Sequence, residues 1–274
     1  MGPPWRAVLA CLLTFVGLGC SLRSAADLAG ANQSPGPLGF SASTNMGWAS
    51  PSPSPEPAPL LAKTRIPAGP PIKHEMLALP GKEKLVPVLT KKTVVTMITS
   101  AGALEIEVYP QAAPNAAKRF LALARGGFFD DTPVCRVVDG FVAQFGVNWR
   151  EPHNEWGVKT FRDDPALFAL DRGTLAFAKS GRNKGATQVF INLRENNRLA
   201  ASERGFCAFG KVVKGMEVVD KFVQVGDPNG GLDQGLLWSD GGTYLHSLRD
   251  KPTMIESLSV AGEDGQPSND PVEK

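Results

Sequence analysis

Cysteine and histidine are scarce in this 274-residue chain, which has four of the first and three of the second. Cys11 and Cys20 lie near the N-terminus, Cys135 and Cys207 far downstream, so a disulfide framework is excluded. The two downstream cysteines each sit in an apolar run, and the expectation is two buried thiols, with a single bridge only if their strands are neighbours. His74, His153 and His246 are scattered, and no Cys-x-x-Cys or His-x-x-x-His spacing occurs, which argues against a metal centre. The net charge is only +2 and cations are interspersed with acids, so there is no basic stripe for nucleic acid. The apolar run at residues 7–19 is too short to cross a bilayer comfortably.

That run follows Arg6 and precedes Ser24-Ala25-Ala26, the layout of a secretory signal (residues 1–26) cleaved near Ala26. Gly17-Leu18-Gly19-Cys20 offers lipidation at Cys20 as the second reading, though Gly17 stands where such a box prefers leucine, and an uncleaved anchor is the third. The expected location is the secretory pathway or cell envelope, with membrane contact only through lipid or anchor. Proline is abundant in residues 27–92, where runs such as Ser50-Pro51-Ser52-Pro53-Ser54-Pro55 remove backbone donors and fix φ. This stretch is expected to be a disordered, semi-extended tether. Residues 263–274, acidic at their start and poor in apolar side chains, are expected to fray. One folded domain, residues 93–262, remains.

Within it, residues 93–99 and 104–109 are β-rich runs joined across Ser100-Ala101-Gly102-Ala103, an opening hairpin. Ala116, Phe120, Leu123 and Ala124 recur at helical spacing after Pro114 and before Gly126-Gly127, predicting a helix over residues 115–125. Further strands are predicted at 134–138, 141–145, 174–178, 188–192, 208–213 and 254–260, the last closing against the first hairpin. A second helix is predicted at 216–223, with Met216, Val219, Phe222 and Val223 inward. Residues 146–172 and 226–244 are predicted as long irregular loops, their tryptophans pinning them to the barrel.

Three segments carry the chemistry. Arg136-Val137-Val138-Asp139-Gly140-Phe141-Val142-Ala143-Gln144 is a strand pair about an Asp-Gly turn, which returns Phe141 beside Arg136. Residues 173–192 run strand, polar Gly/Asn loop, strand, with Phe177, Gln188 and Phe190 at the flanks; residues 205–220 form the third segment. Taken in order, the three resemble the signature segments of the cyclophilin-type peptidyl-prolyl isomerases, in a bacterial-like branch with long loops, and the resemblance covers roughly residues 93–262.

The resemblance implies a mainly β fold, a closed antiparallel β-barrel capped by two α-helices. It implies an enzyme without cofactor or metal that speeds rotation about X-Pro bonds in proline-containing peptides and unfolded chains, here exported ones, and acts as a monomer. Arg136 takes the catalytic place. Phe141, Phe190, Leu199 and Phe177 map to the walls of the proline pocket, and Gln144 and Gln188 to the glutamines that bind substrate backbone or orient the arginine. Cys135, Val142, Lys179, Arg198 and Phe206 depart from the family's usual histidine, methionine, asparagine, aromatic and histidine. Reduced activity and weak cyclosporin binding are therefore expected. The alternative is a non-catalytic peptide-binding or scaffold module on the same barrel.

Overall fold

The computed structural model describes residues 75–150 and 153–261; the predicted signal, most of the predicted tether and the predicted tail fall outside the described residues. Eight strands close into a barrel: β1 (Thr93–Thr99), β2 (Gly102–Val108), β3 (Thr132–Val138), β4 (Val142–Phe145), β5 (Thr174–Phe177), β6 (Val189–Asn192), β7 (Ala208–Lys214) and β8 (Met254–Val260). Their order around the barrel is β1-β2-β7-β5-β6-β4-β3-β8, with antiparallel pairing and β8 returning to β1. Alternation explains the closure, because Val95 and Met97 of β1, Leu104, Ile106 and Val108 of β2 and Val189 and Ile191 of β6 all point inward. Phe120, Phe128, Phe129, Phe145 and Phe209 fill the interior, with the Phe120 and Phe209 centroids 5.1 Å apart.

Helix α1 (Pro114–Arg125) buries Ala116, Ala117, Phe120, Leu121, Leu123 and Ala124 against this core. Pro114 suits its first turn, where an N–H would lack an intrahelical partner anyway. The amides that remain are satisfied from another loop. Asp164 Oδ1 accepts from the Asn115 amide at 3.1 Å and Oδ2 from the Ala116 amide at 2.9 Å. The helix predicted at 216–223 stops after one turn as α3 (Met216–Val219), following the single turn of α2 (Asn197–Ala200). Beyond it the Lys221 and Phe222 amides bond three residues back, the Val223 amide donates to Thr253 Oγ1 at 3.0 Å, and Val223 is left 41% exposed rather than inward.

The loop predicted at 226–244 contains most of a helix, α4 (Gln234–Ser247), kinked at Asp240 and capped by Asp233 Oδ1 accepting from the Leu236 amide. Trp149 lies against Gly241 and Trp238 against Gly157, so the tryptophans clasp the two long loops together as well as onto β3 and its neighbour Val147. The other loop, 146–172, holds a short 3-10 helix at His153–Val158.

Residues 75–90, expected to belong to the tether, lie on the barrel. The Leu79 amide donates to Leu167 O at 2.7 Å and the Ala169 amide to Leu77 O at 2.8 Å. Met76 and Leu79 are buried, and Val86 and Leu89 pack beside them, over Ala176 of β5, Phe190 of β6 and Ala208 of β7. These outward-facing apolar positions would otherwise meet water, which is why the segment is held. Cys135 and Cys207 are buried free thiols. β3 and β7 are not neighbours in the barrel, so the bridged reading falls.

Candidate active site

Arg136 owes its direction to a β-bulge. Register shifts between Val134 and Arg136 on β3, so Val134 and Val137 both face the core while Cys135 and Arg136 turn outward. Strict alternation from Val134 would have sent Arg136 into the barrel. Beyond the bulge, Arg136 pairs with Gln144 and Val138 with Val142, and the tight turn between them places Gly140 at φ +59°. Phe141 accordingly returns to lie 5.9 Å from the Arg136 guanidinium carbon, centroid to atom.

Gln144 is buried at 3% exposure and its Oε1 accepts from Arg136 Nη1 at 3.3 Å. Gln144 Nε2 donates to Gln188 Oε1 at 2.5 Å, and Gln188 Nε2 donates to Gln234 Oε1 at 3.0 Å. Arg136 Nε donates to the Asn229 carbonyl. Nη2 has no partner among the described residues. Burial pushes the Arg136 pKa down, with Cys135 and Asp227 pulling the other way, but a guanidinium remains charged under any such shift. The site thus presents a fixed cation on a half-buried surface.

The apolar wall beside it comes from three elements. Phe141 at the turn, Phe190 on β6 and Leu199 on α2 belong to one cluster outside the barrel. Phe206 joins them, its ring 5.7 Å from that of Phe190, and both are nearly sealed at 5% and 4% exposure. Phe177 is a correction. It faces the barrel interior, 4.9 Å from Phe161 and 5.3 Å from Phe209, because Leu175 and Phe177 share the inner face of β5. The outward positions there are Ala176 and Ala178, and applying alternation to residues 174–178 would have found them.

Lys179, at the place of the family's asparagine, is closed to solvent: Nζ pairs with Asp163 Oδ1 at 2.8 Å, donates to Gly205 O at 3.0 Å and sits 5.6 Å from the Phe206 centroid. Arg198, at the place of the family's aromatic, is exposed on α2. Asn229 and Gln234 belong to the site without having been foreseen. No local signal marks them, since both reach it through the packing of a loop distant in sequence.

The family model described as cyclophilin type peptidyl-prolyl cis-trans isomerase/CLD matches residues 94–234. A peptidyl-prolyl cis-trans isomerase of Acinetobacter baylyi is 38% identical over 148 residues, 52% of this chain and 78% of that protein. Peptidyl-prolyl cis-trans isomerase B of Escherichia coli is 35% identical over 175 residues, 61% of this chain and 99% of that protein. Among solved structures, a cyclophilin type isomerase of Cryptosporidium parvum aligns at 22% identity with a TM-score of 0.47, covering 63% of this chain and 99% of that one.

Proposed function

The chain belongs to the cyclophilin-type peptidyl-prolyl cis-trans isomerases, and on that footing we propose that it assists the folding of exported polypeptides by turning their X-Pro bonds, with Arg136 acting on the bond. Such a bond crosses a barrier of about 18–20 kcal/mol because rotation breaks amide conjugation. Lowering that barrier needs a site that favours the twisted amide over either planar form. In the twisted state the prolyl nitrogen carries a lone pair, and a fixed guanidinium beside it in a desolvated pocket favours that state without proton transfer or covalent chemistry.

The observation that carries this reading is the juxtaposition of Arg136, held at Nε and Nη1, with the Phe141 ring 5.9 Å away. Phe141, Phe190, Leu199 and Phe206 supply the apolar wall for the proline ring, and Gln144 and Gln188 the polar edge for the peptide backbone. Export is supported by Arg6, the apolar run at 7–19 and the small residues before Ala26. Sequencing the mature N-terminus tests it, since a chain still beginning at Met1 in the cell's soluble cytoplasm contradicts export.

The near-complete burial of Phe190 under Phe206, and the exposed Arg198, favour a second reading in which the barrel grips proline segments without turning them. A cis-trans isomerisation assay with an X-Pro peptide and the full chain decides between the two. Acceleration above the uncatalysed rate supports the enzyme in this role. Saturable peptide binding with no acceleration supports the gripping module.

A further inference from the structure

A guanidinium only donates hydrogen bonds, and that fixes the direction of every amide behind it. Gln144 must turn Oε1 to Arg136, which aims its Nε2 at Gln188; Gln188 receives on Oε1 and must then hand its own Nε2 to an acceptor. Gln234 Oε1 is that acceptor, at 3.0 Å, and the chain ends there, since Gln234 Nε2 makes no hydrogen bond among the described residues. Gln234 opens α4 and is placed by its neighbours: Asp233 caps the helix and donates its amide to Tyr244 Oη at 2.9 Å, and Leu237 is fully buried.

The same stretch reaches Arg136 from the other flank. Asp227 and Gly231 exchange both backbone bonds at 2.8 Å, the Leu232 amide donates to Cys135 O at 2.8 Å, and Asn229 O accepts from Arg136 Nε. Gly231 stands at φ +78°, where an added Cβ would come within 2.3 Å of Cys135 O and 2.7 Å of Arg136 Cα. A glycine is what lets this turn lie directly on β3. Residues 227–234 therefore hold the arginine on two sides, one directly and one through two glutamines.

We infer that Gln234 is a positioning residue for the isomerisation, which orients Arg136 by terminating the Gln144–Gln188 relay. The inference rests on the isomerase reading of this site. Without its acceptor, the Gln188 amide is free to turn over, Gln144 Nε2 loses its fixed acceptor, and the guanidinium loses its aim while the apolar wall stays whole. Gln188 also stands at the polar edge of the peptide site, so the loss falls mainly on turnover, with a smaller effect on binding.

The test compares kcat, KM and Tm of the full chain with Gln234→Leu, Gln234→Glu, Gln188→Leu and the Gln188→Leu/Gln234→Leu double variant. Gln234→Leu is expected to lower kcat about fivefold, the order of one lost hydrogen bond, with KM changed less than kcat and Tm unchanged. Gln234→Glu keeps the acceptor and is expected to recover most of the loss; in the Gln188→Leu background, Gln234→Leu is expected to add nothing. Wild-type kcat in Gln234→Leu, an equal loss in Gln234→Glu, additive losses in the double variant, or a fall in Tm that accounts for the lost activity each overturn the inference. Absence of turnover in the parent chain overturns the isomerase reading as well, whereas parent turnover indifferent to Gln234→Leu overturns this inference alone.

Discussion

A cation can favour a twisted amide only if its orientation is set before the substrate arrives, and at Arg136 one bulge and two hydrogen bonds set it. Arg136, Phe141, Gln144, Gln188, Phe190 and Leu199 were legible through the resemblance of three short segments to the cyclophilin family, whereas the bulge that turns Arg136 outward was not. Phe177 was misplaced because the phase of β5 decides it, and Asn229 was illegible because 93 residues separate it from the arginine it holds. Arg198 stands exposed where the family offers an indole or phenyl ring. The chain is expected to bind cyclosporin weakly by calorimetry, and Arg198→Trp to tighten it; nanomolar binding by the parent contradicts that assignment. Burial pushes the thiol of Cys135 up to about 12 and that of Cys207 up to about 11. Raised values mean that the folded state holds these protons more tightly, so the associated stability is present below the ordinary thiol value and is lost as pH rises toward the folded ones. Peptides carrying Cys135 and Cys207 are expected to stay unlabelled by iodoacetamide at pH 8 until urea unfolds the chain, a point mass spectrometry checks directly.

At the scale of elements, strands and α1 were legible because apolar residues repeat cleanly at two and at 3.6. α4 was not, because Gly235, Gly241 and Gly242 argue against a helix that its packing against Trp149 nevertheless maintains. The N-terminus of α1 also depends on a distant residue. Asp164→Ala is expected to remove the acceptors of the Asn115 and Ala116 amides and cost about 1–2 kcal/mol in denaturant unfolding. The turn at 227–231 carries a pH dependence. The Gly230 and Asn229 amides, and to a smaller degree Arg136, hold the Asp227 carboxyl below its ordinary 3.8. The folded value is the lower one, so this stabilisation is present above about pH 4 and is lost as pH falls through the folded value. Turnover measured from pH 7 downward is expected to stay level until below pH 4, and Asp227→Asn to remove the component of the acid limb that belongs to this carboxyl.

For the molecule as a whole, the packed structure begins before β1. Pro80 and Pro87 and the lack of any period hid residues 75–90 within a proline-rich stretch, yet Met76 and Leu79 cover the outer faces of β5, β6 and β7 beside the site. A buried side chain of this kind contributes about 1.5–3 kcal/mol. A chain starting at residue 93 is therefore expected to melt several degrees lower than one starting at residue 75, and equal melting temperatures would show that the cover adds nothing. In the proposed function Arg136 acts on a bound prolyl bond rather than holding the pocket together. Arg136→Ala, followed by exchange NMR of an X-Pro peptide with the full chain, separates the two roles. Peptide affinity within about threefold of the parent, with kcat/KM lowered about a hundredfold, is the predicted result; cis-trans exchange that continues at the parent rate contradicts it.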